Sequence, residues 1–124
     1  MITGIGVDIV QVKRMESWLE NTKLLERYFS REELSLVRSK GKGASSSLAA
    51  RFAAKEAFGK ALGTGFLNIS LKDITISALQ NGKPDVRLSA TAQKAFEESG
   101  AQKIHISLSH ERENAIAMIV LEGT

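Results

Sequence analysis

A chain of 124 residues is the length of one domain, and 43% hydrophobic with 25% charged residues is ordinary for a globular protein. It has no cysteine, which excludes disulfides and thiolate metal sites, so any metal must be held by oxygen or by His105 and His110. The net charge of +3 is mild and aromatics are only 6%, which does not give the basic, ring-studded stripe that nucleic acid takes.

Ile2 to Gln11 reads as a strand, with Ile5, Val7 and Ile9 on one face and Gly4, Gly6, Asp8 and Val10 on the other. The two glycines leave room for a helix or ligand to approach the backbone beside Asp8. Short helices are expected from Val12 to Leu19 and from Thr22 to Phe29. Ser30-Arg31-Glu32-Glu33 has the form of a capping box and should open a helix reaching Ser39. Gly41-Lys42-Gly43 breaks the chain. Ser45 to Ser47 offer caps for a long helix to Leu62, which Gly63-Thr64-Gly65 ends. Ile74 to Leu79 alternates as a strand, Asn81-Gly82 signals a hairpin, and Val86 to Leu88 returns, with Pro84 near its start. Ala90 to Glu98 is a helix ending at Gly100. Ile104 to Ser109 and Ala115 to Leu121 are strands joined through a Glu111 to Asn114 turn. This order predicts an α+β fold in which a mostly antiparallel sheet packs against the long helix, as a single domain over residues 1–124. No basic leader and no bilayer-length apolar run is visible, so a cytoplasmic location without membrane contact is the expectation.

The long helix is the most informative element. Leu48, Phe52, Phe58 and Leu62 share one side, with Lys55 in its middle and Arg51 within it. Ala49, Ala50, Ala53, Ala54, Ala57 and Ala61 form the opposite side. A helix apolar on most sides is normally buried, and charges there are costly unless they are paired or bind something. The bland reading makes Glu56 and Lys60 an i,i+4 pair worth roughly 0.3 kcal/mol, with Arg51 and Lys55 as stems carrying wet heads. The sharper reading makes the four charges part of a site. If the first strand lies beside this helix, Asp8 and Glu56 can share a cation. Two carboxylates completed by waters and phosphate oxygens suit Mg²⁺. His105, Ser107 and Ser109 share a strand face, which is either anion-friendly or merely solvated. No G-x-S-x-G elbow and no Walker A loop is present.

Three segments together resemble one family. They are Gly4-Ile-Gly-Val-Asp8-Ile9, Arg51-Phe-Ala-Ala-Lys-Glu-Ala-Phe-Gly-Lys60 with its Gly63-Thr64-Gly65 tail, and His105-Ile-Ser-Leu-Ser-His110. The chain resembles the short bacterial holo-acyl-carrier-protein synthases, which are 4'-phosphopantetheinyl transferases. Asn81-Gly-Lys-Pro84 fits as well, and the likeness runs from Ile2 to Leu121. The resemblance implies transfer of the phosphopantetheine arm of coenzyme A to a serine of apo-acyl carrier protein. Adenosine 3',5'-bisphosphate would be released, in support of fatty acid biosynthesis. It implies Asp8 and Glu56 as Mg²⁺ ligands and Lys60 as the pyrophosphate contact. Arg51 and His105 are placed around the nucleotide 3'-phosphate, and Gly63, Thr64, Gly65, Asn81 and Pro84 in the nucleotide wall. It also implies a homotrimer with sites at subunit interfaces. Lys13 and Arg14 match the region that docks the acidic carrier protein, with Met15 and Trp18 as apolar support and Lys23, Arg27 and Arg38 as further charges. The general base and the role of Lys55 stay open. A non-catalytic module for an acidic helical partner and a metal-dependent phosphodiesterase are the competing readings.

Overall fold

The computed structural model describes every residue from Met1 to Thr124. Its elements follow the expected order. They are β1 (Ile2–Gln11), α1 (Val12–Trp18), α2 (Thr22–Tyr28), α3 (Arg31–Arg38), α4 (Ala44–Leu62), β2 (Ile74–Ala78), β3 (Pro84–Leu88), α5 (Ala90–Glu98), β4 (Ala101–His110) and β5 (Asn114–Gly123). The α+β expectation holds, with α4 packed across an antiparallel sheet of order β1-β5-β4. The expected hairpin forms a second, two-stranded sheet, β2-β3, with no ladder to the first. β4 and β5 extend beyond the residues that the alternation marked, because Ala101 and Lys103 pair across an irregular register with Gly123 and Glu122.

Two local signals act as the sequence suggests. Ser30 caps α3 through its hydroxyl, and the Glu33 side chain returns to the Ser30 amide at 3.0 Å. Gly63 closes α4 in the left-handed region, at φ 82°. The serine run is a correction. α4 already begins at Ala44 with Gly43 as its cap residue, and no side chain caps it. Ser45 to Ser47 lie inside the helix, and the Ser47 hydroxyl accepts from Arg51 Nη1 instead.

One set of 26 buried hydrophobic residues forms the core, centred on α4. β1 meets that core with its small, glycine-lined face. An added Cβ on Gly6 would lie 1.9 Å from Ala57 O, and one on Gly4 would lie 2.0 Å from Ala61 O. Only glycine lets the β1 and α4 backbones approach this closely. In β1 the larger apolar residues Ile5, Val7 and Ile9 face the other way, and β5 turns Ile116 and Met118 outward while sending Ile119 and Leu121 into the core. Ile5 is 58% exposed, Ile9 62% and Met118 46%. The register places Ile9 beside Ile116, Val7 beside Met118 and Ile5 beside Val120, so these six form one continuous apolar surface.

Candidate active site

The Gly4 and Gly6 contact sets Asp8, the next inward residue of β1, against the C-terminal half of α4. Lys60 reaches across to it. Its Nζ lies 3.0 Å from Asp8 Oδ1 and donates to Val7 O at 3.1 Å. The bland reading of an intrahelical Glu56–Lys60 pair is therefore corrected, since the lysine pairs with the strand. Glu56 is half-buried one turn earlier. Burial raises its carboxyl above the ordinary value and the Asp8 charge raises it further, while Lys60 and Arg14 pull it down. The influence of Arg14 brings the start of α1 to the edge of the same cluster.

This donor set suits Mg²⁺. Two carboxylates in a partly desolvated place repel each other, and a hard divalent cation relieves that repulsion. No third His, Asp or Glu joins them, which leaves coordination positions for waters and phosphate oxygens.

The remaining helix charges, Lys55 and Arg51, are both buried and both donate to backbone carbonyls of β2. Lys55 is fully buried, so the wet-head reading is wrong. Its Nζ lies 2.7 Å from Glu33 Oε1 and donates to Leu71 O at 2.8 Å and to Ile74 O. Burial lowers its ammonium from the ordinary value, and Glu33 opposes that. Arg51 is also buried, donating to Ile76 O at 2.9 Å and to Ser47. Burial likewise pulls its guanidinium down. Glu33 is the residue that sequence reasoning missed as part of this cluster. Its capping role hid it, although a lysine in the middle of an apolar helix face demands a buried acid.

The other expected residues do not gather around Asp8 within one chain. His105 stands on the outer sheet face, opposite in sense to Asp8, with Nε2 2.8 Å from Glu122 Oε1. That hydrogen bond holds the Glu122 carboxyl below its ordinary value. Asn81 and Pro84 lie at the end of the separate hairpin, where Asn81 Oδ1 accepts from the Lys83 amide at 3.0 Å. The Gly63-Thr64-Gly65 turn folds back on α4, with the Gly65 amide donating to Gly59 O at 3.1 Å. Beside it lies a cleft of about 420 Å³ lined by Thr64, Asn68, Thr91, Lys94 and Glu98 among others. Asp8, Glu56 and Lys60 do not line it.

On α1, Lys13 and Arg14 are exposed. The Arg14 guanidinium sits 5.6 Å from the Trp18 ring and 5.4 Å from the Phe52 ring. Met15 is completely buried and offers a partner nothing, which corrects its expected docking role. Trp18 is only partly buried, held between Tyr28 and Phe52. Lys23, Arg27 and Arg38 are exposed.

A carboxylate pair with a lysine, set by a glycine-lined strand against a long helix, defines a fold with close counterparts. The family profile described as the 4'-phosphopantetheinyl transferase superfamily matches residues 4–119, and the chain belongs to that family. Within it the chain groups with the holo-acyl-carrier-protein synthases. A holo-[acyl-carrier-protein] synthase of Treponema denticola is 54% identical over 123 residues, covering 99% of this chain and 100% of the relative. The crystal structure of the Neisseria meningitidis holo-[acyl-carrier-protein] synthase matches with a TM-score of 0.88 at 38% identity, covering 98% of this chain and 99% of that one. The Bacillus anthracis synthase, solved in complex with CoA (3',5'-ADP), matches with a TM-score of 0.83 at 36% identity. That match covers 100% of this chain and 99% of the other.

Proposed function

We propose that the protein transfers the 4'-phosphopantetheine arm of coenzyme A to a serine of apo-acyl carrier protein, with Mg²⁺, and so supports fatty acid biosynthesis in the cytoplasm. Residues 1–124 act as one transferase domain in this reading. The observation that carries it is the Asp8–Lys60 pair beside Glu56, whose carboxyl is raised by burial and by Asp8. A docking module has no need of such a cluster.

In the reaction, the serine oxygen forms a bond to the phosphorus that bears the pantetheine arm. The bond from that phosphorus to the bridging oxygen breaks, adenosine 3',5'-bisphosphate departs, and the serine proton passes to a base. Asp8 and Glu56 would hold the Mg²⁺, which supplies Lewis-acid neutralisation of the pyrophosphate charge. Lys60 is more than half exposed, so its ammonium would turn from Asp8 to a phosphate oxygen and stabilise charge on the leaving group. Arg14 stands where an acidic carrier protein would meet the chain, at the edge of the carboxylate cluster.

The nucleotide end of coenzyme A is assigned to Arg51, Gly63, Thr64, Gly65, Asn81, Pro84 and His105. Within one chain His105 and Asp8 occupy opposite sheet faces. A homotrimer with sites between subunits would resolve this, and the exposed apolar surface of β1 and β5 supplies a surface for it.

The direct test is to incubate the protein with coenzyme A, Mg²⁺ and apo-acyl carrier protein and to weigh the carrier. A gain of one phosphopantetheine is expected. An unchanged carrier mass refutes the transferase reading, and release of the arm to water would favour a phosphodiesterase.

A further inference from the structure

The hairpin β2-β3 joins no other strand, so β2 has a free edge. That edge is occupied by side chains. The Ile76 amide donates to Glu33 Oε2 at 3.0 Å, and Ile76 O accepts from Arg51 Nε at 2.9 Å. Ile74 O accepts from Lys55 Nζ, which Glu33 Oε1 holds from its other side at 2.7 Å. Thr75 Oγ1 donates to Ser30 Oγ at 3.3 Å. No buried side-chain nitrogen or oxygen in the chain lacks a partner.

Glu33 and Lys55 are both fully buried, and a buried ion pair is a poor device for stability alone. Apolar residues of similar volume often serve as well or better. What apolar residues cannot do is hold the backbone groups of Ile74 and Ile76. These bonds replace the strand that β2 lacks. β2 leads directly into the turn in which the Leu79 amide donates to Lys83 O at 2.8 Å and which carries Asn81 towards Pro84.

We propose that Glu33 and Lys55 are positioning residues which, with Arg51, clamp the free edge of β2 and set where the Asn81–Pro84 turn stands against the nucleotide end of coenzyme A. The inference rests on the nucleotide reading of that turn given above. Asp8, Glu56 and Lys60 are held independently by the β1–α4 contact, so the clamp governs binding of coenzyme A and not the transfer step.

Two variants test it. Glu33→Asp keeps the charge and withdraws the carboxylate by one methylene, so that it cannot span Lys55 and the Ile76 amide. Glu33→Gln combined with Lys55→Met removes both charges together. In either variant the KM for coenzyme A should rise about tenfold, with kcat and the KM for carrier protein within about twofold. Amide exchange should quicken at Ile76 and through the Leu79 to Lys83 turn, and stay unchanged in β1 and β5. A folded variant with the wild-type KM for coenzyme A overturns the proposal, as does a raised KM with unaltered exchange in the turn. Failure of both variants to fold also overturns it, since the pair would then be a stability element. Exchange is read without substrates, so it judges the clamp separately. Absence of transfer by the unaltered protein would strike the functional reading instead.

Discussion

Glu56 carries a testable consequence because its environment disfavours its charge. The folded chain holds a proton on Glu56 more tightly than the unfolded chain does. Stability of the metal-free protein therefore falls as pH rises through the window from the ordinary carboxylate value to the raised one, and stays lower above it. Glu56→Gln removes that loss. Above the window, the metal-free variant should melt at a higher temperature than the wild type, and below it the two should converge. Added Mg²⁺ should raise the wild-type melting temperature and leave the variant unmoved. Asp8→Ala should lower turnover by roughly a hundredfold or more, through loss of a metal ligand and of the Lys60 anchor. A variant that keeps near-wild-type turnover at low Mg²⁺ would refute the assignment of Asp8.

At the scale of elements, the site depends on how closely β1 lies to α4. Gly6→Ala would drive a methyl group to within 1.9 Å of Ala57 O, a backbone atom that cannot swing aside. Overpacking of that kind should cost about 3 kcal/mol, read as a lower denaturant midpoint. Activity in the surviving folded fraction should fall as well, because Asp8 moves with the strand. A normal midpoint would show that the contact is slack. Much of this arrangement was legible in the sequence. Alternation placed Asp8 on the glycine face, Asn81-Gly82 marked the hairpin, and the four helix charges marked α4. What stayed hidden depends on long-range pairing. Glu33 and Lys55 are 22 residues apart, and local periodicity cannot reveal a partner at that distance. The serines in the first turn of α4 misled because capping propensity is local, whereas the helix starts directly after the Gly41–Gly43 turn, at Ala44.

At the scale of the whole molecule, the sheet carries large apolar residues on both faces, with Ile119 and Leu121 in the core and Ile5, Val7, Ile9, Ile116 and Met118 exposed. Alternation identified the two faces of β1 but not which one would meet the core, since both can be buried once subunits associate. If Ile5, Val7, Ile9, Ile116 and Met118 form a subunit interface, then Val7→Lys with Met118→Glu should dissociate the assembly. Light scattering would detect this as a fall to monomer mass. Transfer should fall with it, because His105 lies on the same outer face. A wild-type protein that already scatters as a monomer would refute the trimer. The clamped edge of β2 has a different consequence. Ile74–Ala78 is a β-branched, largely apolar segment, and an open strand of that kind is a template for adding strands from other chains. By occupying the backbone groups of Ile74 and Ile76, Glu33, Arg51 and Lys55 leave no free donor or acceptor there for an added strand to pair with.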